Sequence, residues 1–261
     1  MSSEATHVCG EGIAPVRAGP DPQSELLTQL LFGEAFVAKS EHEGLVFGTT
    51  ATDTVEGFVP SEFLVPRSGS ATHRVRRTFI EIYRAPALTM AMGKILPMNA
   101  LVELTGRSSP VRYPGGGPGS TAVELRSGGW VAEQGLAPIA RFATDVQAVA
   151  RMFVGAAYLH GGKTWLGCDG AGFVQTVLAA CGVQIPRRAE QQIRHFEEHH
   201  PVRSATTSPH AVIYSGTDCG LLLGDEVVAA RPQTMLVDVV SREKFLMASP
   251  RKPRIFPLEG L

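Results

Sequence analysis

The 261-residue sequence lacks the features that mark several large classes of protein. It contains no run of about twenty apolar residues, so it predicts no membrane-spanning helix. Its formal net charge is −1, and its nearest approach to a basic cluster is the short group at residues 74–77. Binding to a nucleic-acid backbone or an anionic membrane surface needs clustered positive charge, so we predict neither kind of partner.

The sequence also lacks a recognisable secretion signal and a cysteine framework. Residues 1–7 carry no basic region followed by an apolar run, which a signal peptide would have. The cysteines lack a Cys-x-x-Cys spacing, which favours free thiols over disulfides or a zinc site. These absences predict a cytoplasmic protein without a metal site or a cofactor. The cysteines are Cys9, Cys168, Cys181 and Cys219.

The patterns that are present divide the chain into three parts. The first 140 residues are rich in glycine, proline and short apolar runs such as Ala35–Ala38 and Gly57–Pro60. Short strands at this spacing predict small β-barrels and not a helical domain. Residues 68–70 have the composition of a linker. We therefore predict domains at residues 1–70, 71–141 and 142–261.

From Thr144 onward the periodicity of the apolar residues changes. Residues 145–154 and 172–181 have helical periodicity, and Gly182 follows as a stop signal. Four strand-like segments come next, at residues 211–214, 221–223, 226–230 and 235–240. Helices followed by an antiparallel sheet predict an α+β domain.

One block of this last part carries the motifs of a known family. It reads Tyr158-Leu-His-Gly-Gly162, then Gly167-Cys-Asp-Gly-Ala-Gly-Phe-Val-Gln175, then Gly182-Val-Gln-Ile-Pro-Arg187 and Gln191-Gln192. The block resembles the NlpC-type papain-like cysteine peptidases. Their pattern is Tyr-x-Trp-Gly-Gly, then Asp-Cys-Ser-Gly-Leu-Val-Gln, then Gly-Ile-x-Leu-Pro-Arg and a later Gln. These enzymes cleave γ-D-glutamyl–diamino-acid bonds in peptidoglycan stem peptides.

The first 140 residues resemble the modules that precede such peptidase domains. Gln29–Glu34 and Gly57–Pro60 are similar to parts of a bacterial SH3-like barrel, and Gly129–Val131 is similar to the closing strand of a second one. The resemblance therefore implies an α+β protein with two N-terminal SH3-like β-barrels. A papain-like domain with an antiparallel sheet follows them.

The departures from the family pattern fall on its catalytic positions. In register, Asp169 takes the place of the family's Asp, and Gly170 occupies the position of the nucleophilic cysteine. The base position falls on Thr217 or Asp218, and the third polar position falls on Ala229. Glycine has no side chain with which to attack, so the resemblance implies a pseudoenzyme with no intact catalytic residue.

Substitutes for the lost groups stay open at this point. Cys168 is an alternative nucleophile for a peptidase or an acyl-transfer enzyme, although it lies two residues before Gly170. His210 is an alternative base in a shifted register. Cys168 and Cys219 together are a candidate redox or soft-metal pair.

Two histidines, His195 and His199, have helical metal-ligand spacing but lack the His-Glu-x-x-His order, so we predict no metal there. We expect the vacated cleft to have room at its glycine and to favour an anionic group at the helix N-terminus. The family's substrates imply a muropeptide-like ligand, and a protein partner on a structural scaffold is the alternative. The expected lining residues are Tyr158, His160, Asp169, Gly170, Asp218 and Cys219.

Overall fold

The computed structural model describes residues 6–112, 119–199, 210–216, 218–248 and 252–258. The chain forms two compact units, Met1–Phe142 and Ala143–Leu261. The first unit is built mainly of strands, and the second combines α-helices with strands. Among the described helices, none has both the length and the apolar character needed to traverse a bilayer.

The first half of the first unit is a single antiparallel sheet. Its strands lie in the order β3-β2-β6-β5-β4-β1-β7. Alternate residues of β5 are buried, which is the two-residue period of a sheet with one face on a core. The core includes Val16, Phe36 and Val59. The strands are β1 (His7–Cys9), β2 (Ile13–Arg17), β3 (Leu26–Leu31), β4 (Ala35–His42), β5 (Leu45–Thr50), β6 (Glu56–Pro60) and β7 (Leu64–Pro66).

This sheet is open, whereas the sequence led us to expect a closed barrel. Among the described strands, β3 and β7 form its two edges and do not pair with each other. Strands β1 and β7 contain three residues each, and a strand of that length spans only about 10 Å. Strands of this length offer few backbone groups for pairing at the β7 edge.

The second half of the first unit forms two smaller antiparallel sheets. Their strand orders are β10-β9-β14-β13-β12 and β11-β8-β15. They share a hydrophobic core of their own, which includes Val75, Leu96 and Val131. The strands are β8 (His73–Val75), β9 (Phe79–Tyr83), β10 (Ala91–Pro97), β11 (Leu101–Val102), β12 (Leu104–Pro110), β13 (Thr121–Leu125), β14 (Trp130–Ala132) and β15 (Leu136–Pro138).

The second unit places its main helices before an antiparallel sheet of order β21-β20-β19-β18-β22. Helix α2 packs against β19 and β20, and α4 packs against β20 and β21. The helices are α1 (Val146–Arg151), α2 (Gly170–Ala180), α3 (Ala189–His199) and α4 (Arg242–Met247). The strands are β16 (Lys163–Thr164), β17 (Gly167–Cys168), β18 (His210–Ser215), β19 (Asp218–Leu223), β20 (Glu226–Arg231), β21 (Leu236–Ser241) and β22 (Arg254–Pro257).

The helices differ from the sequence prediction at their ends. Helix α1 stops at Arg151, three residues before the predicted end, and the chain turns away at Gly155, which has a φ of +90°. Helix α2 begins at Gly170, two residues earlier than predicted, because Asp169 caps it. The four predicted strand segments correspond to β18, β19, β20 and β21.

Candidate functional site

Helix α2 begins at the position where the family carries its nucleophile. The Asp169 side chain is the N-cap, and its Oδ1 accepts a hydrogen bond of 2.7 Å from the Gly172 N–H. The helix ends in a Schellman arrangement, in which the Val183 N–H donates to the Leu178 carbonyl and Gly182 has a φ of +91°. Both ends of the helix are therefore fixed by local sequence.

The cap is locked by a buried ion pair between Asp169 and Arg187. The two terminal nitrogens of Arg187 donate to the two carboxylate oxygens of Asp169 at 2.9 and 2.8 Å. The exposed fraction of the side chain is 3 % for Arg187 and 14 % for Asp169. Oδ2 of Asp169 also accepts from the Gly161 N–H at 2.8 Å, and Arg187 donates to the Gly162 carbonyl at 3.0 Å. The pair therefore joins the glycine turn, the helix start and the Pro-Arg segment.

Close backbone contacts explain the glycines of the motif. A Cβ atom on Gly162 would lie 2.3 Å from the Gly167 carbonyl oxygen. A Cβ on Gly172 would lie 2.1 Å from the Gly162 carbonyl oxygen. Real Cβ atoms do not approach backbone oxygens so closely, so any larger residue would force these segments apart.

The glutamines of the motif hold neighbouring backbone segments in place. Gln175 donates to the Ile185 carbonyl at 3.0 Å. Gln192 donates to the carbonyls of Ala171 and Pro186 at 3.0 and 2.8 Å, and its Oε1 accepts from the Tyr214 hydroxyl at 2.9 Å. These motif residues therefore have scaffolding contacts that do not depend on catalysis.

The first turn of α2 faces strand β19, and this contact alters the site. A Cβ built on Gly170 would lie 2.9 Å from both the Sγ atom and the carbonyl oxygen of Cys219. Gly170 has ordinary helical geometry, so the obstacle to a larger residue is steric and not a strained φ. The expectation that a glycine leaves room in the cleft is wrong, because Cys219 fills the space beside it.

The other polar groups of the expected cleft lie around this contact. Tyr158 is half-buried, and its N–H donates to the Met235 carbonyl at 2.8 Å. Burial raises the pKa of the Tyr158 hydroxyl, and the nearby carboxylates of Asp169 and Asp218 raise it further. Asp218 accepts a hydrogen bond of 3.1 Å from Gln233, and His160 is exposed in the turn before Gly161. The charged groups nearest Tyr158 are thus mainly anionic.

The two cysteines of this region are buried thiols. Cys168 is 0 % exposed and Cys219 is 1 % exposed, and both are free. Burial raises the pKa of the Cys168 thiol to about 12, and the Asp169 carboxylate adds to the effect. Burial also raises the pKa of Cys219 well above that of a free thiol. A thiol with so high a pKa is a poor nucleophile near neutral pH, because almost none of it is thiolate.

The alternative base lies away from this cluster. His210 is the first residue of β18 and pairs with Leu223, whereas the cluster lies at the other end of the hairpin, where Ser215 pairs with Asp218. Five residues of strand separate the two ends, which is about 16 Å. Thr217, one of the two expected base positions, lies outside the described residues. Ala229 is buried on β20 opposite Gly220.

The two histidines of α3 that have metal-ligand spacing stack on each other. The rings of His195 and His199 have centroids 4.5 Å apart, and Nδ1 of His199 lies 2.9 Å from the His195 carbonyl oxygen. Within the described ranges, no group of three or more His, Cys, Asp or Glu side chains is arranged to hold a metal ion.

The raised pKa of Cys168 predicts that the protein loses stability at alkaline pH. The folded state keeps a proton on this thiol that the unfolded chain releases above about pH 9. The contribution of Cys168 to the free energy of unfolding is therefore fully present below about pH 9. As the pH rises towards 12, this contribution falls by up to about 1.4 kcal/mol per pH unit. Urea unfolding at a series of pH values above about 8 measures the slope. The Cys168→Ala variant should show a shallower decline, and an equal slope in both proteins would contradict the assignment.

Comparison with known proteins defines the class of this fold and site. Residues 155–242 match the sequence profile of the NlpC/P60 family, and residues 16–64 match that of the bacterial dipeptidyl-peptidase Sh3 domain. The chain therefore carries an SH3 domain followed by an NlpC/P60 domain, which confirms the resemblance found in the motifs. No curated protein matches the sequence significantly.

Two solved structures share this architecture. A crystal structure of an NlpC/P60 family protein from Bacillus cereus ATCC 10987 superposes with a TM-score of 0.73 at 15 % identity, covering 91 % of this chain and 94 % of that one. An NlpC/P60 endopeptidase from Photobacterium damselae subsp. piscicida gives a TM-score of 0.57 at 12 % identity, covering 92 % of this chain and 65 % of that one. At these identities the likeness establishes a common fold.

Proposed function

We propose that this protein is a pseudoenzyme, which keeps the scaffold of an NlpC/P60 cell-wall peptidase without its chemistry. The observation that carries the proposal is the start of α2, where Gly170 has no side chain and Cys219 packs against it. Covalent catalysis needs a nucleophile within reach of a base. Gly170 supplies no thiolate, and Asp218 supplies no imidazole.

The pattern of retained and lost residues supports the proposal. The motif residues that are present, among them Asp169, Gly172 and Arg187, all have structural contacts within the domain. The positions of the family's nucleophile and base are among the motif positions that lack the family residue. A chain that keeps its fold without needing turnover is expected to differ from the family in this way.

The rival proposal of a displaced nucleophile is weaker. Cys168 lies on β17 before the helix, is fully buried, and has a pKa raised to about 12. At about pH 8, roughly one molecule in 10⁴ would carry the thiolate. Cys219 is also buried and has a raised pKa, so neither thiol is prepared for attack.

The direct test is hydrolysis of a γ-D-glutamyl–diaminopimelate peptide, followed by mass spectrometry with an active NlpC/P60 endopeptidase as the positive control. We expect no product above the uncatalysed background, because no activated nucleophile is present. Turnover that is lost in Cys168→Ala or in Cys219→Ala would refute the pseudoenzyme and identify the thiol responsible.

We extend the proposal to a ligand: a muropeptide-like peptide bound without cleavage at the rim of the former active site. The polar groups available at this rim are Tyr158, His160 and Asp218, since the space at Gly170 is filled. A protein partner recognised by the same surface is the alternative. The retained scaffold of the domain supports this alternative as well.

Calorimetric titration with stem-peptide fragments tests the ligand. We expect the wild type to bind and Asp218→Asn to bind at least several-fold more weakly, because Asp218 contributes a carboxylate at the rim. Asp225→Asn, in the exposed turn between β19 and β20, is the matched control and should not change affinity. Equal affinity in all three proteins, or no binding in any, would favour a protein partner on a scaffold.

We also propose that the first unit consists of two SH3-like modules, residues 1–70 and 71–141, ahead of the peptidase-like domain at 142–261. Two separate hydrophobic clusters support the division, one around Phe36 and one around Leu96. All four cysteines are free, which supports residence in a reducing compartment such as the cytoplasm. Expression of residues 71–141 alone as a cooperatively folding fragment would test the second module.

A further inference from the structure

A cavity in the first unit is lined by none of the residues of the site described above. Its volume is about 630 Å³, within the range of pockets that hold small molecules. Its wall is formed by the turn around Gly33, by β7 with the segment that follows it, and by Glu103 and Arg126 of the second half of the unit. The cavity is therefore built from both halves of the unit and from the segment that joins them.

The floor of the cavity is fixed by backbone contacts. The Leu101 N–H donates to the Phe32 carbonyl at 2.8 Å. A Cβ on Gly33 would lie 2.2 Å from the Leu101 carbonyl oxygen, and Gly33 has a φ of +78°, so only glycine fits there without strain. The two halves thus meet at a close, hydrogen-bonded contact, and the cavity is preformed.

One wall holds an arginine whose terminal nitrogens are available. Nε of Arg126 contacts Oε1 of Glu103 at 2.6 Å, and the Arg126 N–H donates to the Glu103 carbonyl at 2.9 Å. Among the described residues, the two terminal nitrogens of Arg126 have no acceptor. Because the pairing involves Nε, the terminal donors of the Arg126 guanidinium are left for another group.

The lining also contains a second guanidinium and hydroxyl donors. Arg67 lines the cavity, and the part of the chain that the structure describes offers its side chain no acceptor. Ser68, Ser70 and Ser127 line the same space. Arginine and serine together are a donor set that suits oxygen anions, and a single guanidinium can bind a carboxylate or phosphate through two parallel hydrogen bonds.

The acidic residues of the lining already have partners. Glu103 pairs with Arg126, and its Oε2 abuts the backbone of Gly69, where a Cβ would lie only 2.1 Å away. Glu34 is buried, and its Oε2 accepts a hydrogen bond of 2.9 Å from the Leu31 N–H. The formal charges of the two glutamates and the two arginines in the lining balance. The groups that remain to contact a ligand are the donors of the two arginines.

We propose that this cavity binds a small anionic molecule through carboxylate or phosphate oxygens held by Arg67 and Arg126. The site is independent of the muropeptide proposal, because it uses no residue of the second unit. Carboxylate and phosphate share the chemistry that the two guanidiniums recognise. Separate titrations distinguish them.

The experiment is calorimetric titration of the full chain with citrate and, separately, with inorganic phosphate at low ionic strength. We expect one of these probes to bind at a single site, and Arg67→Gln and Arg126→Gln each to weaken that binding by about tenfold or more. Arg77→Gln is the matched control, since Arg77 is exposed on the same unit and does not line the cavity. It should bind like the wild type.

Thermal unfolding of each variant checks that the fold is intact, which we expect because Arg67 and Arg126 are exposed. Citrate-preferring binding would identify a carboxylate ligand, and phosphate-preferring binding a phosphorylated one. Absence of binding by both probes to the wild type, or equal weakening in Arg77→Gln, would overturn the proposal.

Discussion

Replacing Gly170 with cysteine should give a protein that still cleaves no stem peptide and that forms a disulfide with Cys219 under oxidising conditions. The Cβ of residue 170 would lie 2.9 Å from the Cys219 Sγ. In a disulfide with an S–S bond of about 2.05 Å, each Cβ lies about 3 Å from the partner sulfur. The introduced thiol would therefore meet Cys219 before it could meet a substrate, and no imidazole is present at Asp218 to activate it.

Intact-mass and peptide-mapping spectra with and without a reductant measure this outcome. The expected product loses two hydrogens on oxidation and gives a cross-linked peptide pair containing positions 170 and 219. The same substitution in a Cys219→Ala background is the control, and it should show no cross-link. Recovery of peptidase activity in Gly170→Cys alone would show that the strand does not obstruct the site.

Replacing Asp169 with alanine should destabilise the second unit more than any surface substitution. Removing one partner of a buried ion pair leaves an uncompensated charge, here on Arg187, and costs about 3–5 kcal/mol. The same substitution removes the N-cap of α2, which is worth about 1 kcal/mol. The hydrogen bond from the Gly161 N–H would be lost as well.

Denaturant unfolding measures this change in the free energy of unfolding. The control is Glu226→Ala, which breaks an ion pair with Arg151 in which the side chains are 50 % and 42 % exposed. That pair should be worth less than about 1 kcal/mol. The double variant Asp169→Ala with Arg187→Met should recover part of the loss, because it removes the stranded charge. Similar small losses for Asp169→Ala and Glu226→Ala would contradict the structural role of the buried pair.

Local sequence signals predicted two helices and four strands of the second unit. Asp145 is the N-cap of the first of these helices, and the four predicted strand segments follow in order. The family motifs also located the helix start correctly to within two residues. These features depend on neighbours in sequence, such as the hydrogen bond from the Ala148 N–H to the Asp145 side chain, and can be read without knowledge of the fold.

Contacts between residues distant in sequence were not predictable in this way. Gly170 and Cys219 lie in separate elements, and the periodicity of β19 does not tell which residue faces the helix start. The sequence therefore suggested an empty cleft where the structure has a filled one. The same limit applies to the first sheet: short strands predicted a barrel, but whether β3 and β7 pair is a contact between residues distant in sequence.

The packing of Cys219 against Gly170 also has a consequence for evolution. On the proposed function, a cysteine at position 170 would meet an occupied space, so peptidase activity would require a change at position 219 as well. Such a dependence of one position on the other would make an inactive state hard to reverse. In a lineage of such chains, the residues at these two positions should covary, and a regained nucleophile should appear only after the residue on the strand has become smaller.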